Sequence, residues 1–151
     1  MASMKDRLRD DLTAAMKARD EVRTRTLRMA LTSLTREEVA GSSARELSDQ
    51  EVVGVLTREA KRRREAAEAF AAAGREEQAA AERAEEAVLD AYLPAQLSDE
   101  ELAAMAADVI AETGASGMAA MGQVMKALTL RVAGRADGAR SAAEVRRQLA
   151  G

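Results

Sequence analysis

Acidic side chains recur at helical spacing in the middle of the chain: Glu65 with Glu68, and Glu82 with Glu85 and Glu86. Two carboxylates on one helix face can trade a proton or hold a hard cation. Either task needs a neighbour that desolvates or complements the pair. The surrounding sequence offers none, so these acids read as a solvated helix face. The chain has no Cys and no His. The first absence removes thiolate nucleophiles, disulfides and thiolate zinc sites. The second removes the side chain most used for proton transfer near neutral pH and the commonest metal ligand. No GxSxG, Walker or GxGxxG pattern is present. No catalytic residue, metal site or cofactor is therefore expected.

Cations offer a second kind of chemistry. In TREAKRRREAAEAF, Lys61, Arg62, Arg63 and Arg64 stand in a row, with Arg58 one turn earlier. Four successive helical positions point to all sides of a helix. They could form a basic edge for phosphates, or pair with Glu59, Glu65 and Glu68 on the same helix. The segment Met121–Gly151 carries six basic residues and two acidic ones, although the whole chain is −3. Lys126 and Arg131 fall on a helical run, Arg135 and Arg140 flank the turn dipeptide Asp137-Gly138, and Arg146 and Arg147 fall on a last helix. Ser141 reads as the cap of that helix, so free amides and arginines would converge on an anion there. The competing reading is that these cations serve a helix macrodipole. Gly122 reads as a point of close helix approach, and the methionines as core. Phe70 and Tyr92 both read as buried, which leaves no stacking platform for single-stranded nucleic acid. Any RNA would be held by phosphates and shape.

The elements that must position these residues are helices. Of the 151 residues 36 are Ala, with one Pro and nine Gly, and Leu, Glu and Arg are abundant. Ser3–Asp6, Ser48–Glu51, Ser98–Glu101 and Ser141–Glu144 each have the spacing of a capping box. Helices are expected from Ser3 to beyond Met16, from Asp20 to near Gly41, over 49–73, 76–92, 99–112, 117–132 and 142–149. Inward faces are expected to carry Leu8, Leu12 and Met16; Leu27, Leu31 and Leu34; Val52, Leu56 and Ala60; Ala81, Ala84, Val88, Leu89 and Tyr92; and Val124, Leu128, Val145 and Leu149. Pro94 disfavours helix at Leu93 and removes a backbone donor. The chain is thus read as all-α, with an N-terminal domain of about four helices over 1–93 and a small three-helix domain over 94–151. Charge follows a similar division: residues 1–64 carry +4, 65–91 carry −6, 92–120 carry −5 and 121–151 carry +4. No apolar run approaches the ~20 residues of a membrane span. The start MASMKDRLRDD mixes acids with bases and leads into no apolar stretch, so a cytoplasmic protein with no membrane partner is expected.

The run LTREAKRRREAAEAFAAAGREE, the junction YLPAQLSDEEL and the tail MGQVMKAL…GRADG…VRRQL resemble the YqeY family of GatB/YqeY domain proteins. The likeness runs from LRMALTSL to the end of the chain. It implies an all-helical fold whose second domain is similar to the tail of the B subunit of the tRNA-dependent amidotransferase, a tail associated with tRNA. Gly122, Met125, Lys126, Gly134 and the Ala136-Asp137-Gly138 turn match the motif of that tail. Arg131, Arg135, Arg146 and Arg147 are added by charge alone. The large ATP-binding catalytic part of that subunit has no counterpart here. The resemblance implies a non-catalytic tRNA-binding or tRNA-metabolism accessory protein. The alternatives are a protein-interaction module, with an acidic surface or an amidotransferase component as partner, and an accessory to carbon–nitrogen ligation with glutamine as amide donor.

Overall fold

Helix starts are set by caps. The Ser3, Ser48 and Ser98 hydroxyls accept from the amides of Asp6, Glu51 and Glu101 at 3.1, 3.2 and 3.0 Å, and each acid reaches back to its serine amide. The computed structural model describes residues 2–151. Its helices are α1 (Met4–Lys17), α2 (Glu21–Glu38), α3 (Asp49–Ala72), α4 (Glu76–Asp90), α5 (Asp99–Thr113), α6 (Met121–Val132) and α7 (Gly138–Ala150), with a 3₁₀ turn at Met118–Ala120. No strand occurs among the described residues, and the all-α expectation holds.

The fourth serine is a correction. Asp137 caps α7 instead, accepting from the Arg140 amide at 2.8 Å, so α7 begins one turn earlier than Ser141. An aspartate caps as well as a serine and comes first along the chain. Ser141 therefore lies inside the helix and is buried, and Gly138 is a helical residue rather than half of a turn.

The chain divides into two compact units, one ending at Leu93 and one running Pro94–Gly151. In the first, Leu8, Leu27, Leu34, Val52, Leu56 and Leu89 form the core around Ala30 and Ala60. The hairpin of α3 and α4 turns at Gly74, whose φ of +77° suits a residue without Cβ. Tyr92 is buried just beyond α4. Its hydroxyl donates to the Asp11 carboxylate and the Arg7 guanidinium lies 4.8 Å from its ring centre. Burial, then the Asp11 hydrogen bond, push the phenol up to about 12. Phe70, by contrast, is only half-buried, and Met16 is exposed.

Along α4 and just beyond it, Leu89 and Tyr92 are buried and Val88 packs on the core as expected, but two of the expected inward positions are corrections. Ala81 and Ala84 face solvent, while Glu85 and Glu86 turn toward α3. Arg63 is buried, with Nη1 2.9 Å from Glu59 Oε2 and Nε 3.3 Å from Glu85 Oε2. Arg64 Nε meets Glu86 Oε2 at 2.7 Å, and Arg25 Nε meets Glu85 Oε1 at 2.9 Å. Glu85 and Glu86 thus form a charged seam rather than a solvated face, while Glu82 makes no ion pair among the described residues. Leu89 and Ala79 anchor the inward face, and because an alanine methyl gains little from burial, the arginines of α3 draw Glu85 and Glu86 inward ahead of Ala81 and Ala84. Glu65 and Glu68 do face solvent.

In the second unit Leu102, Val109, Val124, Leu128, Val145 and Leu149 form the core, and Leu97 of the linker joins them. α6 ends with two left-handed residues, Ala133 at φ 51° and Gly134 at φ 81°. The Ala133 Cβ crowds the following carbonyl in that conformation. Ala133→Gly is expected to raise stability by about 0.5–1 kcal/mol, net of the greater freedom of glycine in the unfolded chain. A thermal melt that shifts downward for this variant would refute the strain.

Candidate nucleic-acid interface

The tail places its cations unequally. Lys126 on α6 and Arg146 on α7 are exposed and have no ion-pair or hydrogen-bond partner among the described residues. Arg131 pairs with Glu112 of α5 at 2.5 Å. Arg147 pairs with Glu144 through Nε at 2.9 Å. Hydrogen bonding from Arg147, opposed in part by burial, holds the Glu144 carboxyl below the ordinary carboxylate range. Arg135 and Arg140 do something else. Arg135 Nε donates to the Ala95 carbonyl at 2.9 Å, and the Leu97 amide donates to the Arg135 carbonyl at 2.7 Å. Arg140 Nη2 donates to the Leu97 carbonyl at 3.0 Å and to Asp99 Oδ1 at 2.9 Å. These two arginines grip the linker after Pro94. The anion cradle expected around Ser141 is absent, because Asp137 occupies the Arg140 amide and the Ser141 amide bonds the Asp137 carbonyl.

The row on α3 splits as its spacing requires. Arg63 and Arg64 point into the α4 seam. Lys61 lies 4.0 Å from Glu65, and Arg62 lies 3.4 Å from Glu59 while staying 72% exposed. Glu68 makes none of the expected pairs among the described residues. Arg58 and Arg62 line a trough against α2 together with Arg36. Arg28 and Arg36 belong to this basic surface, and the sequence reading missed them. The available signal was the solvent side of α2, the face left over once Leu27 and Leu34 are placed inward.

The family described as Yqey-like protein matches residues 5–149. The chain belongs to the YqeY family. No curated protein matches it. The YqeY match takes in both units rather than the tail alone. Of the motif positions, Met125 is half-buried against the second core, and Gly134 takes the positive φ that favours glycine. Ala136 is buried in the same core, and Asp137 is a helix cap. Gly122 corrects an expectation: it is exposed, with open space where a Cβ would sit, so no helix approaches it closely. Among the described residues, no group of three or more His, Cys, Asp or Glu side chains could hold a metal ion, and no helix is long and apolar enough to cross a membrane.

Proposed function

We propose that this YqeY-family chain is a non-catalytic accessory of tRNA metabolism that holds tRNA through α6 and α7. The observation that carries the reading is the pair Lys126 and Arg146, exposed cations left without a partner in a tail of six basic and two acidic residues. Arg131 and Arg147 add to them, since exposed ion pairs are worth little and exchange readily for phosphate. That makes about four phosphate contacts. Arg135 and Arg140 support the reading indirectly, by holding the linker against the turn between α6 and α7. The choice of tRNA among nucleic acids rests on the resemblance to the amidotransferase tail. The amidation chemistry itself stays with the larger enzyme, because a related domain does not bring its partner's activity along.

Fluorescence anisotropy of labelled tRNA across a salt series tests this. Binding in the micromolar range, with a log–log salt slope of about −3, is expected for the intact chain. Lys126→Glu/Arg146→Glu should lower affinity by about a hundredfold at low salt. Circular dichroism would confirm that the variant stays helical. Undiminished binding by the variant, or no binding by the intact chain at low salt, refutes the proposal.

A further inference from the structure

One face of α2 is left uncovered. Arg25, Arg28, Met29, Thr32 and Arg36 recur on it at helical spacing, while Leu27, Ala30 and Leu34 are buried. Where this face meets the end of α1 there is an open hollow of about 800 Å³. Met16 and Met29 line the hollow and are 49% and 45% exposed. A single exposed apolar residue needs no explanation, but two in one hollow do. Arginines hold the thioethers in place: Arg28 Nη2 lies 3.7 Å from Met16 Sδ, and Arg63 Nη2 lies 3.7 Å from Met29 Sδ.

The hollow runs on as a trough between α2 and α3, past Arg36, Arg58 and Arg62. Arg19, Arg28, Arg36 and Arg58 have no carboxylate partner among the described residues. The acids that line the trough are Glu21, Glu37 and Glu59, and Glu59 is already matched by Arg62 and Arg63. At 1.5 Å per residue, Arg25 to Arg36 spans about 16 Å, the length of three helical turns.

We propose that this trough docks an acidic amphipathic helix of a partner protein. Its apolar side chains rest on Met16 and Met29, and its carboxylates meet the arginines of the rim. Methionine adapts its shape to an incoming side chain, and Met and Arg are both enriched where proteins meet. An apolar hollow at Met16 and Met29 that continues into a trough lined by arginines suits an amphipathic helix whose apolar side chains cover the hollow and whose acids follow the trough. RNA fits less well, because phosphate contacts would leave the exposed Met16 and Met29 thioethers without a use. The surface belongs to the first unit and is separate from the α6–α7 residues assigned to tRNA.

The test uses the full chain and a labelled acidic peptide about 16 residues long, with leucines on one helical face and glutamates beside them. A scrambled peptide of the same composition is the comparison. Saturable micromolar binding is expected, ~10-fold tighter than the scrambled peptide. Met16→Ser/Met29→Ser and Arg28→Glu/Arg36→Glu should each weaken it by ~10-fold or more and leave tRNA affinity unchanged. All these positions are exposed, so both variants should fold. Equal binding of the two peptides, or none, overturns the proposal. So does a loss of tRNA affinity in Arg28→Glu/Arg36→Glu, which would make RNA the occupant. Self-association of the chain that the same variants abolish would make it a second copy. Failure of the chain to bind tRNA at all would overturn the α6–α7 reading and leave this one standing.

Discussion

Arg63→Ala is expected to lower the stability of the first unit by about 3–5 kcal/mol. The guanidinium is 5% exposed and lies between Glu59 and Glu85, whose side chains are 13% and 12% exposed. Its removal takes the buried cation from between the two carboxylates and leaves Glu59 to Arg62 and Ser33 and Glu85 to Arg25, both remaining arginines being exposed. Burial works against the charge on Glu59, but the hydrogen bonds from Arg63 and Ser33 and the charge of Arg62 outweigh it and hold the carboxyl below its ordinary 4.5. The sign follows from that direction. A depressed folded-state value contributes stability above the ordinary 4.5, and the contribution is lost as pH falls from there through the folded value. In Arg63→Ala the largest of those opposing contributions is gone while Ser33 and Arg62 remain, so the folded-state value is less depressed than in wild type and the variant loses less stability as pH falls. The gap between variant and wild type should therefore be widest near neutrality and narrow toward pH 4. Urea unfolding followed by circular dichroism at both pH values measures it. A gap under about 0.5 kcal/mol at neutral pH would mean the cluster is not a keystone of the fold.

Leu128→Ala and Leu130→Ala should differ by nearly the full range of a core substitution, although they sit two positions apart on α6. Leu128 is fully buried among Val124, Val132 and Val145, whereas Leu130 is 79% exposed. The first change removes a large side chain from a small core and should cost about 2–5 kcal/mol, with a cavity term added to the transfer term. The second should stay within about 0.5 kcal/mol. Thermal melts of the two variants decide it. Equal losses would place α6 at a different rotation from the one described.

What the sequence made legible was mostly local. A serine followed three positions later by an acid sets its own helix start, so Ser3, Ser48 and Ser98 needed no knowledge of the rest of the fold. Ser141 misled because Asp137, four residues earlier, starts the helix first, so the amides that Ser141 would cap are already inside it. The placement of Ala81 and Ala84 on α4 was hidden for another reason. In EEQAAAERAEEAVLD the alanines fall on every side, so apolar periodicity does not choose among them. The inward turn of Glu85 and Glu86 depends on Arg63 and Arg64 of a different helix. The tail arginines show the same limit. Charge alone does not separate Arg146, which faces solvent, from Arg140, which is spent on the Leu97 carbonyl and Asp99 more than 40 residues away in sequence.

The grip of Arg135 and Arg140 on the linker has a consequence for how this piece of chain can be passed between proteins. Pro94 marks where helix stops, but the second unit's own fold reaches back to Ala95 and Leu97, one through a backbone bond and one through a core side chain as well. The smallest transferable module therefore starts ahead of its first helix. A gene fusion or split that begins at the Ser98 cap would keep every helix of the unit yet lose a core leucine, strip Arg135 of its Ala95 carbonyl and leave Arg140 with Asp99 alone.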